Sequence, residues 1–361
     1  LKEIPLSYIN NIMGIKNLMT IIKKHCKEDS WNNLIPLITV PKPANSSFSR
    51  VAVDTSLLLY KYRHASTVSK RDLHIIGFIN RIVFYISSKM IPIFVFDGKP
   101  PTEKDGTIAE RKNHKEKVEL QIKELQDKIE LETRDTERQE LEKQLHAVQT
   151  SVVYVTKAHF EDIRTLLIHL GIPYFDPSEN GVEGEAEHIC STLQKRGIVD
   201  HVVSDDTDTF VFGATSVLRS APKGKVNHMF LGDILQGLQM TQQEFVDFCI
   251  ISGCDYCGTV PKIGCAGAYS AIKKNKTIEE WLKVLPASTK ETEACVSFVE
   301  RYKKARQIFT NDYQDIPPDI NATLGNFQET ELTSFLLTRD WEIASINKVI
   351  KKYKNARSKL N

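Results

Sequence analysis

No stretch of this chain approaches the ~20 consecutive apolar residues that a membrane-spanning helix needs, and the N-terminus has no secretory apolar run. A charge of one sign is lacking as well: 48 Lys and Arg against 46 Asp and Glu leave a formal net charge of +2. A nucleic-acid binder usually carries a larger positive excess, so the average fails that test, and what matters is where each sign is concentrated. Cysteine supplies no framework. The 7 cysteines are an odd number without regular spacing, in a chain of 361 residues that is long enough to bury a core without staples. That excludes a disulfide scaffold and favours a reducing compartment. No internal repeat or low-complexity segment stands out. A soluble intracellular monomer with no membrane association is expected. The chain opens on Leu1, while Met13-Gly14-Ile15 reads as a natural start, so residues 1–12 are set aside as extension or upstream sequence.

What is present is an ordinary globular composition, 41% hydrophobic and 26% charged, with a rhythm. Apolar residues at helical spacing from Ile15 to Lys24 predict a short amphipathic helix, and 41–50 reads as a polar loop. Val51-Ala52-Val53-Asp54 reads as a buried strand ending on an acid, followed by a helix from Ser56. A second helix, about 72–89, leads into IPIFVFD, a buried strand that again ends on an acid, Asp97. Strand–helix–strand order predicts an α/β fold, a central, mostly parallel twisted sheet flanked by helices. Between Lys99 and Gln149 the chain turns dense in Lys, Arg, Glu and Gln, with Val118, Ile122, Leu125 and Ile129 at helical spacing. This predicts a long helical excursion inserted between strands, laced by i,i+4 ion pairs. Helices at 158–170 and 184–196 then precede strands at 172–175 and HVVSDD; after two or three short strands to Leu231, the chain reads as helical from Asp233 onward.

In open parallel sheets, sites form at the carboxyl ends of strands. Asp54, Asp97 and the group Asp205, Asp206 and Asp208 fall there; Glu185 and Glu187 begin a helix, and Asp255 lies in SGCDYC. Singly, each has a bland reading: Asp54 as an N-cap, Asp97 as a turn residue, Glu185 and Glu187 as first-turn acids. Together they repel, by about 4 kcal/mol per close pair at an effective dielectric near 20, and call for cations. Oxygen-only ligands without His suit Mg²⁺ or Mn²⁺ rather than zinc. Two such ions bracketing a phosphodiester make a phosphoryl-transfer site.

MGIKNL, VAVDTSLLLY, VFDGKPP, GIPYFD, GEAEHIC, SDDTDTFVFG and GCDYCGTVPKIG stand in the order and spacing of one family. The chain resembles the flap endonucleases, the xeroderma pigmentosum G-type structure-specific 5′ nucleases, from Met13 to about Lys352. The resemblance implies a PIN-like nuclease core with two Mg²⁺ ions, Mn²⁺ substituting, and metal ligands at Asp54, Asp97, Glu185, Glu187, Asp206, Asp208 and Asp255. Asp205 and Glu183 are taken as bystanders. It implies that Lys104 and Arg111, seven residues apart and so two helical turns on one face, lean over the metals beneath a helical arch and stabilise charge on the scissile phosphate. It also implies DNA contacts: an aromatic at Tyr60 stacking on a base, Arg81 near phosphates, and Gly14 near the junction. GCDYCGTVPKIGCAGAYSAIKK resembles the family's helix–two-turn–helix element, whose turn holds a monovalent cation, K⁺, against duplex phosphates. There Lys262 stands where the family has glycine, Gly264 survives, and Cys265-Ala266-Gly267 replaces a basic run; Lys262, Lys273, Lys274 and Lys276 are candidates to compensate.

Cys254 and Cys257 have C-x-x-C spacing, which can mean zinc, but with Cys249 and Cys265 they read better as ordinary buried thiols. The C-terminal KKYKNARSK is a nuclear signal or a phosphate contact, and no clamp-binding Gln-x-x-hydrophobic-x-x-aromatic-aromatic box is visible. The division expected is 13–120 nuclease region with the start of the arch, 121–150 arch or connector, 151–252 internal nuclease region, 253–276 helix–two-turn–helix, and 277–361 C-terminal helices. The function expected is 5′ flap cleavage in replication and repair. The alternatives are a 5′–3′ exonuclease, a junction resolvase, an RNA-directed nuclease on a similar sheet, or a non-catalytic junction binder.

Overall fold

The computed structural model describes residues 14–15, 17–66, 72–151, 155–317, 320 and 322–360; Met13 and residues 1–12 lie outside them. Seven strands form one sheet in the order β1-β7-β6-β5-β2-β3-β4. The strands are β1 (Leu34–Pro36), β2 (Ser49–Asp54), β3 (Met90–Val95), β4 (Tyr174–Phe175), β5 (His201–Val203), β6 (Ser216–Ser220) and β7 (Lys225–Phe230). From β6 to β4 every pairing is parallel, and β7 and β1 close one edge antiparallel. The parallel part is as expected from the apolar runs, which are buried on both faces. β1 was not foreseen. Three residues ending in Pro36, in an exposed–intermediate–exposed pattern, give no alternation to read, and proline is tolerated there because the strand is an edge.

Side chains alternate across the sheet. Ala52, Ile93 and Val95 enter a core shared with Ile189, Leu193, Phe245 and Phe248 from helices Ala186–Lys195 and Gln242–Ser252. Val51, Val53 and Phe94 enter the opposite core, with Phe78 and Ile82 of helix Leu73–Ser87 and Leu166 and Leu170 of helix Lys157–Leu170. At about 1.5–3 kcal/mol for each fully buried large apolar side chain, these two cores fix the strand register. The last helix, Ile343–Arg357, lays Ile346, Ile350 and Tyr353 into the second core. Among the described residues no helix is long and apolar enough to cross a membrane.

The charged excursion is two helices, Asp105–Leu131 and Asp135–Ser151. Val118 and Leu125 are each only 7% exposed, the seam of an otherwise solvated hairpin. Pairs such as Lys112–Glu116 (3.9 Å) and Arg138–Glu142 (3.5 Å) line its exterior and contribute about 0.3–0.5 kcal/mol each. Its base is fixed better than its length. The amide of Gly98 donates to Gly184 O at 2.8 Å and that of Lys99 to Val182 O at 3.0 Å. A Cβ on Gly98 would lie 2.4 Å from Val182 O, so glycine is what lets these two segments meet.

At the antiparallel edge, His201 Nε2 faces Pro41 O at 3.0 Å, and Ser216 Oγ lies 2.7 Å from both His201 Nδ1 and His228 Nε2. A carbonyl can only accept, so His201 Nε2 carries the proton, the Ser216 hydroxyl donates to His201 Nδ1, and His228 Nε2 donates to Ser216. The chain works with both rings neutral. Burial and the neighbouring His201 push the His228 pKa down to about 4.

Candidate active site

The parallel strands deliver acids to one edge. Asp54 ends β2, in register with Val95 of β3, and Val53 pairs with Val203 of β5. Asp97 therefore lies two residues past β3, and Asp206 and Asp208 lie just past β5, at the same carboxyl edge. Helix Ala186–Lys195 starts there too. The Asp97 carboxylate accepts the Ala186 amide hydrogen at 2.8 Å, capping this helix, while Asp54 accepts the Leu57 amide hydrogen at 2.9 Å. The N-cap reading of Asp54 is thus also true, while Asp97, read alone as a turn residue, serves as a cap for a distant helix. A cap of this kind is worth about 1 kcal/mol, and it fixes the carboxylate that a metal would use.

A single cleft of about 270 Å³ is lined by all seven candidate ligands, Asp54, Asp97, Glu185, Glu187, Asp206, Asp208 and Asp255, with Gly14, Ser56, Tyr60 and Lys104. The electrostatics are strained as the sequence implies. Burial first, then Asp97 and Asp206, raises the Asp54 pKa well above the usual carboxylate range. Burial and Glu185 do the same to Glu187; burial, Asp206 and Asp255 do it to Asp208. Asp206 is raised by burial although the Asp208 amide donates to it at 2.8 Å. Lys104 is the countercharge. Its ammonium donates to Glu185 Oε1 and lies 3.1 Å from Asp255 Oδ2. Burial opposes the ammonium, yet Glu187, Glu185 and Asp255 hold its pKa above the ordinary lysine value.

Among the described residues no three His, Cys, Asp or Glu side chains close on one point tightly enough to hold an ion as they stand; the Lys104 ammonium lies among the carboxylates. The donor set nevertheless fits a hard divalent cation: it is oxygen only and carries a large excess of negative charge. Beside it the buried hydroxyls of Ser56 and Thr207 have no hydrogen-bond partner among the described residues, and such groups suit metal-bound water or phosphate oxygen.

Other candidates fall less uniformly. Lys104 is not on the long helix but ends the 3-10 turn Thr102–Lys104 that precedes it; Arg111 is in helix Asp105–Leu131, and its side chain lies outside what is described. Tyr60 is 39% exposed at the cleft rim. Gly14 has φ +77° and sits so close that a Cβ would lie 2.4 Å from Asp206 Oδ1; the next amide, of Ile15, donates to Asp208 Oδ1 at 2.9 Å. Arg81 does not line this cleft. Its guanidinium stacks over Phe84 and Tyr85 and donates to the Tyr62 hydroxyl at 3.4 Å, beside a small pocket that also holds Lys61 and Asp205. Lys262 and Gly264 lie in the turn between helices Gln242–Ser252 and Cys265–Asn275, outside the cleft lining. Lys262 has φ +64°, the left-handed region, so a lysine where the resembling family has glycine costs about 1 kcal/mol. Of its suggested helpers, Lys273 is occupied by Gln239 O at 3.2 Å and Lys276 by Glu244 at 3.1 Å, while Lys274 is exposed.

Asp205 is more than a bystander. Its carboxylate pairs with Lys61 at 3.3 Å and accepts the Ser220 amide hydrogen at 2.7 Å, and Arg219 donates to its carbonyl at 2.7 Å. Burial works against its charge, but Lys61 and Arg219 hold its pKa below the usual range. It anchors the turn that carries Asp206 and Asp208. Glu183 bridges loosely to Lys99 at 4.0 Å on the surface. Cys249, Cys254, Cys257 and Cys265 are free thiols with no disulfide, and burial pushes the Cys257 thiol up to about 12.

The profile of the XPG N-terminal domain matches residues 13–118 and that of the XPG I-region matches 171–255, the segments that carry the acids. A flap endonuclease 1 from Enterocytozoon bieneusi is 32% identical over 313 residues, covering 82% of this chain and 77% of that protein. One from Cryptosporidium muris is 29% identical over 327 residues; the match covers 83% of this chain and 62% of that longer relative. Among solved structures, the catalytic core of Rad2 in complex with DNA substrate superposes with a TM-score of 0.65 at 19% identity, over 94% of this chain and 100% of that one, a likeness of fold. The capped carboxylates, the cleft that gathers them and these relatives agree: the chain belongs to the XPG-type flap endonuclease family, divalent-metal-dependent nucleases that hydrolyse DNA phosphodiester bonds.

Proposed function

We propose that this protein is a structure-specific 5′ flap endonuclease that cuts a DNA phosphodiester at a single-strand/duplex junction, in replication and repair, with two Mg²⁺ ions. The observation that carries this is the single cleft lined by seven carboxylates together with Lys104 and Tyr60. Asp54, Asp97, Glu185, Glu187, Asp206, Asp208 and Asp255 would hold the ions, whose chemistry there would be activation of a water and stabilisation of the leaving oxygen. Lys104, already placed among these acids, presents its ammonium to the scissile phosphate, and Arg111 joins it from the next turns of the arch. Tyr60 at the rim offers a ring for the terminal base to stack on, worth about 1–3 kcal/mol, and Gly14 keeps the floor shallow enough for backbone to approach. Away from the cleft, Lys262 and Gly264 face duplex phosphates, with K⁺ held at the turn. Arg81 lies outside the cleft, beside Lys61 and Asp205, so any contact it makes with substrate phosphates is away from the cut. The protein works as a monomer on DNA in the nucleus.

The test is a panel of 5′-labelled duplexes carrying a flap, a nick, a gap or a four-way junction, each incubated with Mg²⁺ and purified protein. Preferred cutting at the base of the 5′ flap is expected. Preference for the four-way junction makes the protein a resolvase, and stepwise release of mononucleotides from a nick makes it an exonuclease.

A further inference from the structure

Tyr256 follows the candidate ligand Asp255 directly, inside a turn whose ends, Cys254 and Cys257, are joined by a backbone bridge. The side chain is 2% exposed and does not line the cleft, so it cannot touch DNA. Its ring is held edge-on by Phe309 at 5.1 Å and by Phe212 at 6.4 Å between centroids. Its hydroxyl donates to Glu185 Oε2. The other oxygen, Glu185 Oε1, accepts from Lys104, whose ammonium also lies 5.9 Å over the Tyr256 ring. Lys104 in turn contacts Asp255. Glu185, Tyr256, Asp255 and Lys104 therefore form a closed ring of contacts in which neighbouring residues of one turn supply a carboxylate and the group that orients a second carboxylate.

A carboxylate on a helix N-cap residue has free side-chain torsions unless both oxygens are held, and the Glu185 side chain makes no capping bond of its own. Lys104 holds one oxygen from the arch base. Tyr256 holds the other from a buried, packed position, its phenol O–H donating. We propose that Tyr256 is a positioning residue for the metal centre: its hydroxyl fixes the orientation of Glu185 and so sets the affinity of the carboxylate cluster for divalent cations. The proposal rests on Glu185 being a metal ligand. Outer groups that orient a ligand in this way typically change metal affinity or activity by about 10–100-fold. Phe309, from helix Glu293–Thr310, packs on the Tyr256 ring, so the C-terminal helices border the nuclease centre.

The experiment compares the full chain with Tyr256→Phe, which keeps the ring and removes only the hydroxyl. Mn²⁺ binding without DNA is followed by electron paramagnetic resonance, and cleavage of a flap duplex is measured under single turnover. Mn²⁺ affinity should fall about tenfold or more and the cleavage rate with it, while the dissociation constant for DNA stays within about twofold. In a Glu185→Gln background, Tyr256→Phe should add little further loss, because the two residues act as one unit. Phe309→Leu loosens the packing and spares the hydroxyl; an equal loss of Mn²⁺ affinity in that variant would overturn the proposal, as would unchanged Mn²⁺ affinity in Tyr256→Phe. If Tyr256→Phe does not fold, the unmutated chain decides. A divalent-cation titration should produce a tyrosine ultraviolet difference band that Glu185→Gln abolishes, and its absence overturns the proposal. Asp206→Ala separates the two levels: if it leaves Mn²⁺ binding intact, the metal reading itself fails; if it abolishes binding while Tyr256→Phe binds normally, only the role of Tyr256 fails.

Discussion

Replacing Gly14 by alanine is a one-carbon change whose consequences follow from distances. The added Cβ would stand 2.4 Å from Asp206 Oδ1, 2.6 Å from Thr207 Oγ1 and 3.1 Å from Asp208 Oδ1. Ordinary non-bonded contacts are about 3.5 Å, so either the carboxylates or the N-terminal segment must retreat by about 1 Å. The backbone there has φ +77°, which costs a residue with a Cβ about 1–2 kcal/mol. The Ile15 amide bond to Asp208 Oδ1, 2.9 Å long, is stretched by either retreat and its loss adds about 1 kcal/mol. Catalytic groups tolerate displacements of about 0.5 Å, and an error near 1 Å costs roughly 10²-fold in rate. Gly14→Ala should therefore stay folded, lose about 2–3 kcal/mol in urea melts, and cut a flap duplex about 100-fold more slowly under single turnover. DNA affinity measured in Ca²⁺ should change little. A cleavage rate within threefold of the parent would refute the seating of Gly14 against the two acids.

Three further outcomes are expected. Asp208→Asn should abolish cleavage yet raise the melting temperature of the metal-free protein by about 2–5 °C, since it removes a charge repelled by Asp206 and Asp255 that Lys104 only partly offsets. The Asp208 pKa is raised on folding, so the folded chain binds the extra proton and stability is lost as pH rises; the gain from Asn should shrink toward pH ~4, and a gain independent of pH would contradict the charge argument. Asp205→Asn strips Lys61 and Arg219 of their counter-charge and should cost about 2 kcal/mol or more, seen as a lower urea midpoint; an unchanged midpoint refutes the anchoring role. His228 is neutral when folded, with a pKa of about 4. The unfolded chain therefore binds more protons below pH ~6.5, and the native protein should lose stability relative to His228→Gln as pH falls from there; parallel stability curves would argue against the two-histidine chain.

Much of the cleft was legible because apolar runs such as VAVD and IFVFD, alternating with helical patterns, read as buried parallel strands, and such strands put their terminal acids at one edge. Asp205 and Asp206 show the limit. By residue type they have equal claims; the resemblance picks Asp206, and the turn after β5 gives the physical reason, sending Asp205 to Lys61 and Ser220 and Asp206 into the cleft. The resemblance puts Arg81 near phosphates, although Phe84 and Tyr85, three and four residues on and so on its own helical face, were a signal that it would stack inward. Tyr256 left no signal at all. Its partner Glu185 is 71 residues away in the chain, and nothing local distinguishes a hydroxyl that orients a ligand from one that packs. The strained φ of Lys262 is likewise visible only once the turn is built, as is the edge strand β1.

The central claim is that the clustered carboxylates act as one metal-dependent cutting site. It is tested most directly by cleavage of a labelled double-flap duplex by the parent chain and by Asp206→Ala, with and without Mg²⁺, alongside DNA binding measured in Ca²⁺. Cutting at the flap base that requires both Mg²⁺ and Asp206, with DNA binding retained by the variant, is the predicted result. Tight binding of the flap by the parent chain without cutting under any divalent cation would contradict the claim and leave a junction-binding protein.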